Sequence, residues 1–179
     1  MYDIVSKQAV DTANYSIEEL TRLHDRAHFS YGVAELGQYL KKDARRHNDS
    51  GFNYTKVLVE NGKSDIIGFY SFAAASLSPQ SFPSDRQHTL PRYEIPCFRL
   101  TRFGIDMKYQ KSGFGAYLLS CALRHAVELS NSIGSYAVVV DAKNEEVKSF
   151  YLKHGFYPLS GLLLYLPIKE IKAMVAALG

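Results

Sequence analysis

The sequence predicts an α/β (α+β) chain, with strands and helices mixed around one sheet. Three observations carry this. Period-two segments flank Asn61-Gly62, a strong hairpin dipeptide. Apolar residues recur at helical spacing from Leu118 to Leu129. Ala137-Val138-Val139-Val140 is a short continuous apolar run that fits a strand buried on both faces.

Taken in order, Ser16-Ile17-Glu18-Glu19 reads as a helix start, with Ser16 as cap and Glu19 reaching back, and predicts a helix over 17–28 with Leu20, Leu23 and Ala27 on one face. A second helix is expected over 33–48, its stripe Leu36, Tyr39, Leu40 and Ala44, its far end basic. Val57, Leu58 and Val59 mark a strand over 54–61, and 66–75 returns as its hairpin partner. Residues 78–96 carry Pro79, Pro83, Pro91 and Pro96 and form an irregular loop where function could sit. Residues 97–106 read as a strand in which Gly104 marks a bulge or a close backbone approach. A polar, glycine-bearing stretch follows over 107–115, then helix 116–130 and the buried strand at 137–140. A helix over 144–154 closes at Gly155. Strands at 156–159 and 162–168 and a helix at 169–178 complete the chain.

With 179 residues, a single domain spanning 1–179 is expected, since domains typically run ~100–200 residues. Hydrophobic residues at 46% against 22% charged exclude a disordered chain. Twenty-one Lys plus Arg against 18 Asp plus Glu give a net charge of +3, which permits a polyanionic partner without demanding one. Cys97 and Cys121 are too few for a disulfide framework and neither has a partner at metal spacing, so a reducing compartment and no metal are expected. The N-terminus carries no secretory pattern, and no run approaches the ~18 apolar residues of a membrane span. The expectation is a soluble, cytoplasmic chain with no membrane association.

The chemistry concentrates between Arg99 and Phe156. Gln110-Lys111-Ser112-Gly113-Phe114-Gly115-Ala116 lies between a strand and a helix. Two glycines one residue apart at a helix start let several backbone amides point at one spot, the helix dipole adds positive potential, and Lys111 adds a charge. That is an anion site for phosphate or pyrophosphate; the plainer reading is a strand-to-helix turn that needs glycine. Common nucleotide motifs fail. Gly62-Lys63-Ser64 has the tail of a Walker loop, but Val57 stands where its first glycine belongs, and Leu118 replaces the third glycine of a dinucleotide fingerprint.

Directly after the buried strand comes Asn144-Glu145-Glu146-Val147-Lys148-Ser149-Phe150-Tyr151-Leu152-Lys153-His154-Gly155-Phe156. Here the chain resembles the GNAT acetyltransferase superfamily. Arg99 to Asp106 resembles the family's central strand, Gln110 to Gly115 its Arg/Gln-x-x-Gly-x-Gly/Ala loop, and Asn144 to Phe156 its Asn-x-x-Ala-x-x-Phe-Tyr-x-x-x-Gly-Phe segment, with Val147 where alanine is usual.

The resemblance implies a mixed, mostly antiparallel central sheet, splayed between two strands and flanked by helices, with acetyl-CoA inserted in the split and CoA as product. It places pantetheine along Phe103, Gly104 and Ile105, pyrophosphate on Gln110, Lys111, Ser112, Gly113, Phe114, Gly115 and Ala116, and a pantetheine hydrogen bond at Asn144. Tyr151 becomes the acid that protonates the departing thiolate, which a phenol of reference pKa ~10 can do for a thiol near ~8.5 with help from the site. A strand amide would stabilise the thioester oxygen. The plain alternative for Tyr151 is a packing aromatic, one of 13 tyrosines. Glu94, Asp106 and His154 are bases by residue type only.

Phe29-Ser30-Tyr31-Gly32, Leu36, Tyr39-Leu40-Lys41-Lys42 and Ala44 resemble a region of GNAT toxins from toxin–antitoxin modules, with Ser30 and Tyr31 replacing Asp-Cys. That resemblance implies acetylation of the amino acid on charged tRNA, an antitoxin partner and a homodimer. Lys41, Lys42, Arg45, Arg46, Arg92, Arg99 and Arg102 would neutralise tRNA phosphate; the helix charges read equally as a solvated face. An α-amine of reference pKa ~7.7–8, lowered further by an ester neighbour, suits a site with no evident base, whereas a lysine near ~10.4 needs one. The first reading is thus an N-acetyltransferase, an acyltransferase moving groups other than aminoacyl, with charged tRNA as acceptor. The alternatives are a GNAT enzyme for a small-molecule or protein amine and a non-catalytic CoA-binding or interaction module.

Overall fold

The computed structural model describes residues 10–32 and 34–177. Seven strands, β1 (Tyr15–Glu19), β2 (Tyr54–Glu60), β3 (Ile66–Leu77), β4 (Ile95–Ile105), β5 (Ala137–Asp141), β6 (Tyr157–Ser160) and β7 (Leu163–Pro167), follow the sheet order β1-β2-β3-β4-β5-β7-β6. The β1–β2, β2–β3, β5–β7 and β6–β7 pairs are antiparallel and β4–β5 is parallel. This is the mixed, mostly antiparallel sheet that the resemblance implies. The β4–β5 register runs only from Cys97↔Ala137 to Leu100↔Val140, while β4 itself continues from Thr101 to Ile105.

The chain packs as two compact units, whose described residues are 10–32 and 34–73 with 101–121, and 74–100 with 122–177. In the first, the β2–β3 hairpin forms as expected, with Gly62 in its turn at φ +76°. The helical stretch after Gly32 comprises α1 (Ala34–Gln38), a π-helical turn (Tyr39–Asp43) and α2 (Ala44–Asp49). Its apolar stripe packs with Phe29, Val57, Val59, Ile66 and Phe69 into one core, where Leu40 and Ala44 are fully buried.

The expected helix over 17–28 does not form; Tyr15–Glu19 is instead an edge strand on β2, in register Tyr15↔Glu60 to Glu19↔Lys56. The supposed stripe comes apart: Leu20 is buried, whereas Leu23 is 86% exposed and Ala27 is exposed. Pairing with a distant hairpin satisfies these amides and overrides a local capping pattern.

In the second unit, α4 (Phe114–Ser130) contributes residues from Ala122 onward, followed by β5, α5 (Glu145–Lys153) and α6 (Ile168–Ala177). The run Ala137 to Val140 is buried throughout, as its unbroken apolar character predicts. The proline-bearing loop is ordered by Phe82, which packs edge-on against Tyr136 and Tyr165 at 5.6 and 5.2 Å. Within it lies α3 (Ser84–Gln87), whose Arg86 faces Glu170 of α6 at 3.8 Å. Cys97 sits in this core, where burial pushes its thiol up to about 11; neither it nor half-buried Cys121 is in a disulfide.

Candidate active site

The glycine-bearing loop is built from β4 outward. Asp106 follows the strand and is 4% exposed. Its two oxygens accept from Lys108 N at 2.9 Å and Ser30 N at 2.8 Å, capping the short 3₁₀ turn Met107–Tyr109 and fastening the chain at Ser30 to it. Asp106 therefore organises the loop, and its oxygens are already engaged. Gln110 Nε2 donates to Ile105 O at 3.0 Å and to Tyr31 O at 3.1 Å, a brace between strand end and toxin-like segment. Lys111 has φ +61°, the one left-handed non-glycine residue among those described, and Gly113 has φ +87°. Left-handed backbone costs an ordinary residue ~1–2 kcal/mol, and such strain concentrates at functional sites.

Helix α4 then starts at Phe114, whose ring is pinned edge-on by Tyr15 at 5.1 Å and Tyr109 at 5.5 Å. Tyr117 N donates to Gly113 O at 3.1 Å, so Phe114, Gly115 and Ala116 precede the helix's own hydrogen-bond ladder. Ser112 Oγ donates to Tyr109 O, and Lys111 is exposed at the loop surface. Paired left-handed residues ahead of a helix N-terminus form the amide concavity that suits a pyrophosphate.

Gly104 is buried for a reason beyond strand geometry. A Cβ there would lie 2.5 Å from Leu36 Cδ2 and 3.1 Å from Tyr31 Cδ2. The glycine thus marks the close approach of the segment around Tyr31 and Leu36 to β4, one of the two expectations for it. Phe103 is half-buried beside it and Ile105 is buried.

Helix α5 places two residues in the other unit. Asn144 caps it, Oδ1 accepting from Val147 N at 2.9 Å, with Glu145 and Glu146 favourable in the first turn. Gly155, at φ +91°, ends the helix in the left-handed region, and Phe156 N donates to Tyr151 O at 3.1 Å. The chain reversal sets Phe156 edge-on against Tyr151 at 5.2 Å, with Phe150 at 5.3 Å. Tyr151 is 3% exposed, a ring fixed by its own helix end rather than a free surface phenol.

Two of the three bases named by type have other duties. Asp106 is engaged as above. His154 Nδ1 donates to Phe150 O at 2.7 Å, and burial pulls its pKa below the usual imidazole value, so the ring is a neutral helix-end residue. Glu94 is exposed and accepts from Ser76 Oγ at 3.0 Å. Among the basic residues, Arg46 pairs with Asp43 at 2.6 Å and Arg99 with Asp141. Lys41, Lys42, Arg92 and Arg102 are exposed and Arg45 is half-buried.

The model of the Acetyltransferase (GNAT) family matches residues 17–156. The chain belongs to the GNAT acetyltransferase family. A relative from Mycobacterium tuberculosis, named tRNA-acetylating toxin, is 31% identical over 153 residues, covering 84% of this chain and 90% of its own. The crystal structure of a KacT mutant superposes with a TM-score of 0.85 at 27% identity, over 90% of this chain and 99% of that one. AtaT complexed with acetyl-methionyl-tRNAfMet gives 0.84 at 27% identity over the same shares. Related structures include AtaTR bound with acetyl-CoA and an AtaT mutant bound to the C-terminus of the antitoxin AtaR. The chain is accordingly a GNAT acetyltransferase, and among the described residues no helix is long and apolar enough to cross a membrane.

What sequence reasoning missed lies beneath the basic helix. Tyr39 OH accepts from Asn53 Nδ2 at 3.1 Å, and Thr101 Oγ1 donates to Asn53 Oδ1 at 2.8 Å. The Arg102 guanidinium lies 4.8 Å over the Tyr39 ring. The π-helical turn that sets Tyr39 has no periodicity signal, although such turns are frequent at functional sites.

Proposed function

We propose that this chain works as one acetyltransferase domain that moves the acetyl group of acetyl-CoA onto the α-amine of an aminoacyl-tRNA. The blocked amine cannot enter translation, so the protein acts as a cytoplasmic toxin. The group transferred is acetyl; aminoacyl describes the acceptor. The likeness to AtaT complexed with acetyl-methionyl-tRNAfMet, at a TM-score of 0.84 over 90% of the chain, carries this reading. The close fit of Tyr31 and Leu36 against Gly104 supports it, because the toxin-like segment is then built into the β4 stretch assigned to the cofactor.

Acetyl-CoA would supply an activated acetyl thioester. The amides ahead of α4, with Lys111, hold its pyrophosphate. The backbone from Phe103 to Ile105, beyond the last β4–β5 pair at Leu100, offers main-chain hydrogen bonds to pantetheine. Asn144 Oδ1 is committed to its cap, which leaves Nδ2 as the donor for the cofactor arm. Tyr151 holds at Oη the proton that the leaving thiolate takes. The acceptor α-amine is largely neutral near pH 7.5, so water can remove its proton. The same reading gives the chain a small antitoxin partner and a homodimeric state.

The test is transfer from radiolabelled acetyl-CoA to charged tRNA. The label should be recovered as an N-acetyl amino acid after mild alkaline release. Tyr151→Phe should lower kcat about 10²–10⁴-fold, the usual worth of a positioned acid, and relieve growth arrest on expression. Intact acetyl-CoA binding with no label on any charged tRNA would overturn the proposal, and label on a polyamine or protein amine would favour the small-amine or protein-amine acceptor.

A further inference from the structure

Phe52 is 69% exposed, yet it is held in place. The chain turns at Gly51, φ +74°, and Phe52 N donates back to His47 O at 2.9 Å. The Phe52 ring stands edge-on to His47 at 5.7 Å, and His47 edge-on to Tyr39 at 5.6 Å. Phe69 stacks on Tyr39 at 6.2 Å, and Arg102 covers the same Tyr39 ring while Nη1 donates to Thr101 O at 2.8 Å. The result is a ladder, Phe52–His47–Tyr39–Arg102, with an open aromatic face at one end and an exposed guanidinium at the other. A lone exposed phenylalanine is ordinary. A pre-ordered one, in the turn that follows the helical stretch carrying exposed Lys41 and Lys42 and half-buried Arg45, is a different object.

We propose that this ladder seats the unpaired 3′ end of the acceptor tRNA, a base stacking on Phe52 and a phosphate bound by Arg102. The inference rests on the charged-tRNA reading above and adds Phe52, which that reading does not name. Its physical ground is that only unpaired nucleotides present a base face for stacking, and aromatic rings and arginine planes are what recognise them. The Arg102 guanidinium at the other end of the ladder complements a phosphate. Arg102, already held over the Tyr39 ring, loses little freedom when it binds a phosphate. The seat is also tied to β4. Thr101, which joins the ladder through Asn53, is the residue after the last β4–β5 pair and lies two residues before the stretch assigned to pantetheine. An amine on the terminal nucleotide must reach that region, and a duplex stem need not.

The experiment compares two acceptors carrying the same amine: charged tRNA, and the methyl ester of the same amino acid. Phe52→Ala should raise KM for charged tRNA about 5–150-fold, the range that loss of one stacked base gives. It should leave kcat, KM for acetyl-CoA and turnover of the ester unchanged, and Phe52→Tyr should restore wild-type behaviour. Arg102→Gln should reduce the salt dependence of tRNA binding by about one counterion. Melting temperature should hold for Phe52→Ala, because the ring is mostly exposed. An unchanged KM for charged tRNA in Phe52→Ala, or an equal loss with the ester, overturns the seat while the wild type still acetylates charged tRNA. A wild type that neither binds nor acetylates charged tRNA overturns the acceptor reading and the seat with it.

Discussion

Substituting Gly68→Ala tests how closely β3 packs on the end of β4. Gly68 is buried, and an added Cβ would stand 2.6 Å from Ile105 Cδ1, 3.0 Å from Gly104 O and 3.1 Å from Leu118 Cδ2. Carbon contacts are comfortable at about 3.5–4.0 Å, so the Ile105 methyl must retreat by about 1 Å. It has little room: Ile105 is 5% exposed and Leu118 is fully buried. The Gly104 carbonyl is main chain, so its shift moves the strand. Overpacking of this kind costs ~1–3 kcal/mol. For a chain of this length that lowers the melting temperature by about 2–12 °C. The displaced groups belong to the stretch proposed to hold pantetheine, and Ile105 O also receives Gln110 Nε2. If binding restores their native position, the strain returns and acetyl-CoA affinity falls by up to about 5–150-fold. Thermal melting and calorimetric titration with acetyl-CoA read both effects. Gly134→Ala is the control, since nothing lies within 4 Å of a Cβ there. A Gly68→Ala protein that melts within a degree of wild type and binds acetyl-CoA equally well would refute the packing argument.

Lys111→Asn keeps a residue tolerant of the left-handed region at φ +61° while removing the charge; KM for acetyl-CoA should rise several-fold and become less salt-dependent, with melting unchanged. Asp106→Ala removes the acceptor for both Ser30 N and Lys108 N. Bonds to a charged acceptor are worth ~1.5–3 kcal/mol each, so thermal melting should show a clear drop, and Asp106→Asn should recover part of it. His154 carries a pKa below its ordinary value because of burial. The unfolded chain therefore takes up a proton first on acidification, and this residue's stabilising contribution, complete above the unfolded value near ~6.5, is lost as pH falls through the folded value. Acid melting curves of His154→Gln should be flatter than wild type over that window, and parallel curves would contradict the assignment.

Much of the candidate site was legible because its signals are local. Asn144, Gly155 and the spacing between them specify a capped, left-handed-terminated helix, and that helix alone fixes Tyr151 against Phe156. Gly113 and Gly115 announce backbone freedom at a helix start whatever surrounds them. Residues Tyr15 to Glu19 misled for the opposite reason. Their capping pattern is local, but the hydrogen bonds they make reach β2, some forty residues away along the register Tyr15↔Glu60.

The sequence by itself determined the order of elements after residue 33 apart from α3, which lies inside the stretch expected as an irregular loop, together with the buried strand at Ala137 to Val140 and the family that the three matched segments point to. Those are properties of windows about a dozen residues long, where periodicity and capping act directly. Only the tertiary structure decided that Gly104 exists to admit Leu36 and Tyr31, that Asp106 binds the amide of Ser30, and that Arg99 is paired with Asp141 while Arg102 lies over the Tyr39 ring. Each of these joins residues far apart in the chain. A charge or a missing Cβ has no meaning in sequence until packing supplies the atom it meets.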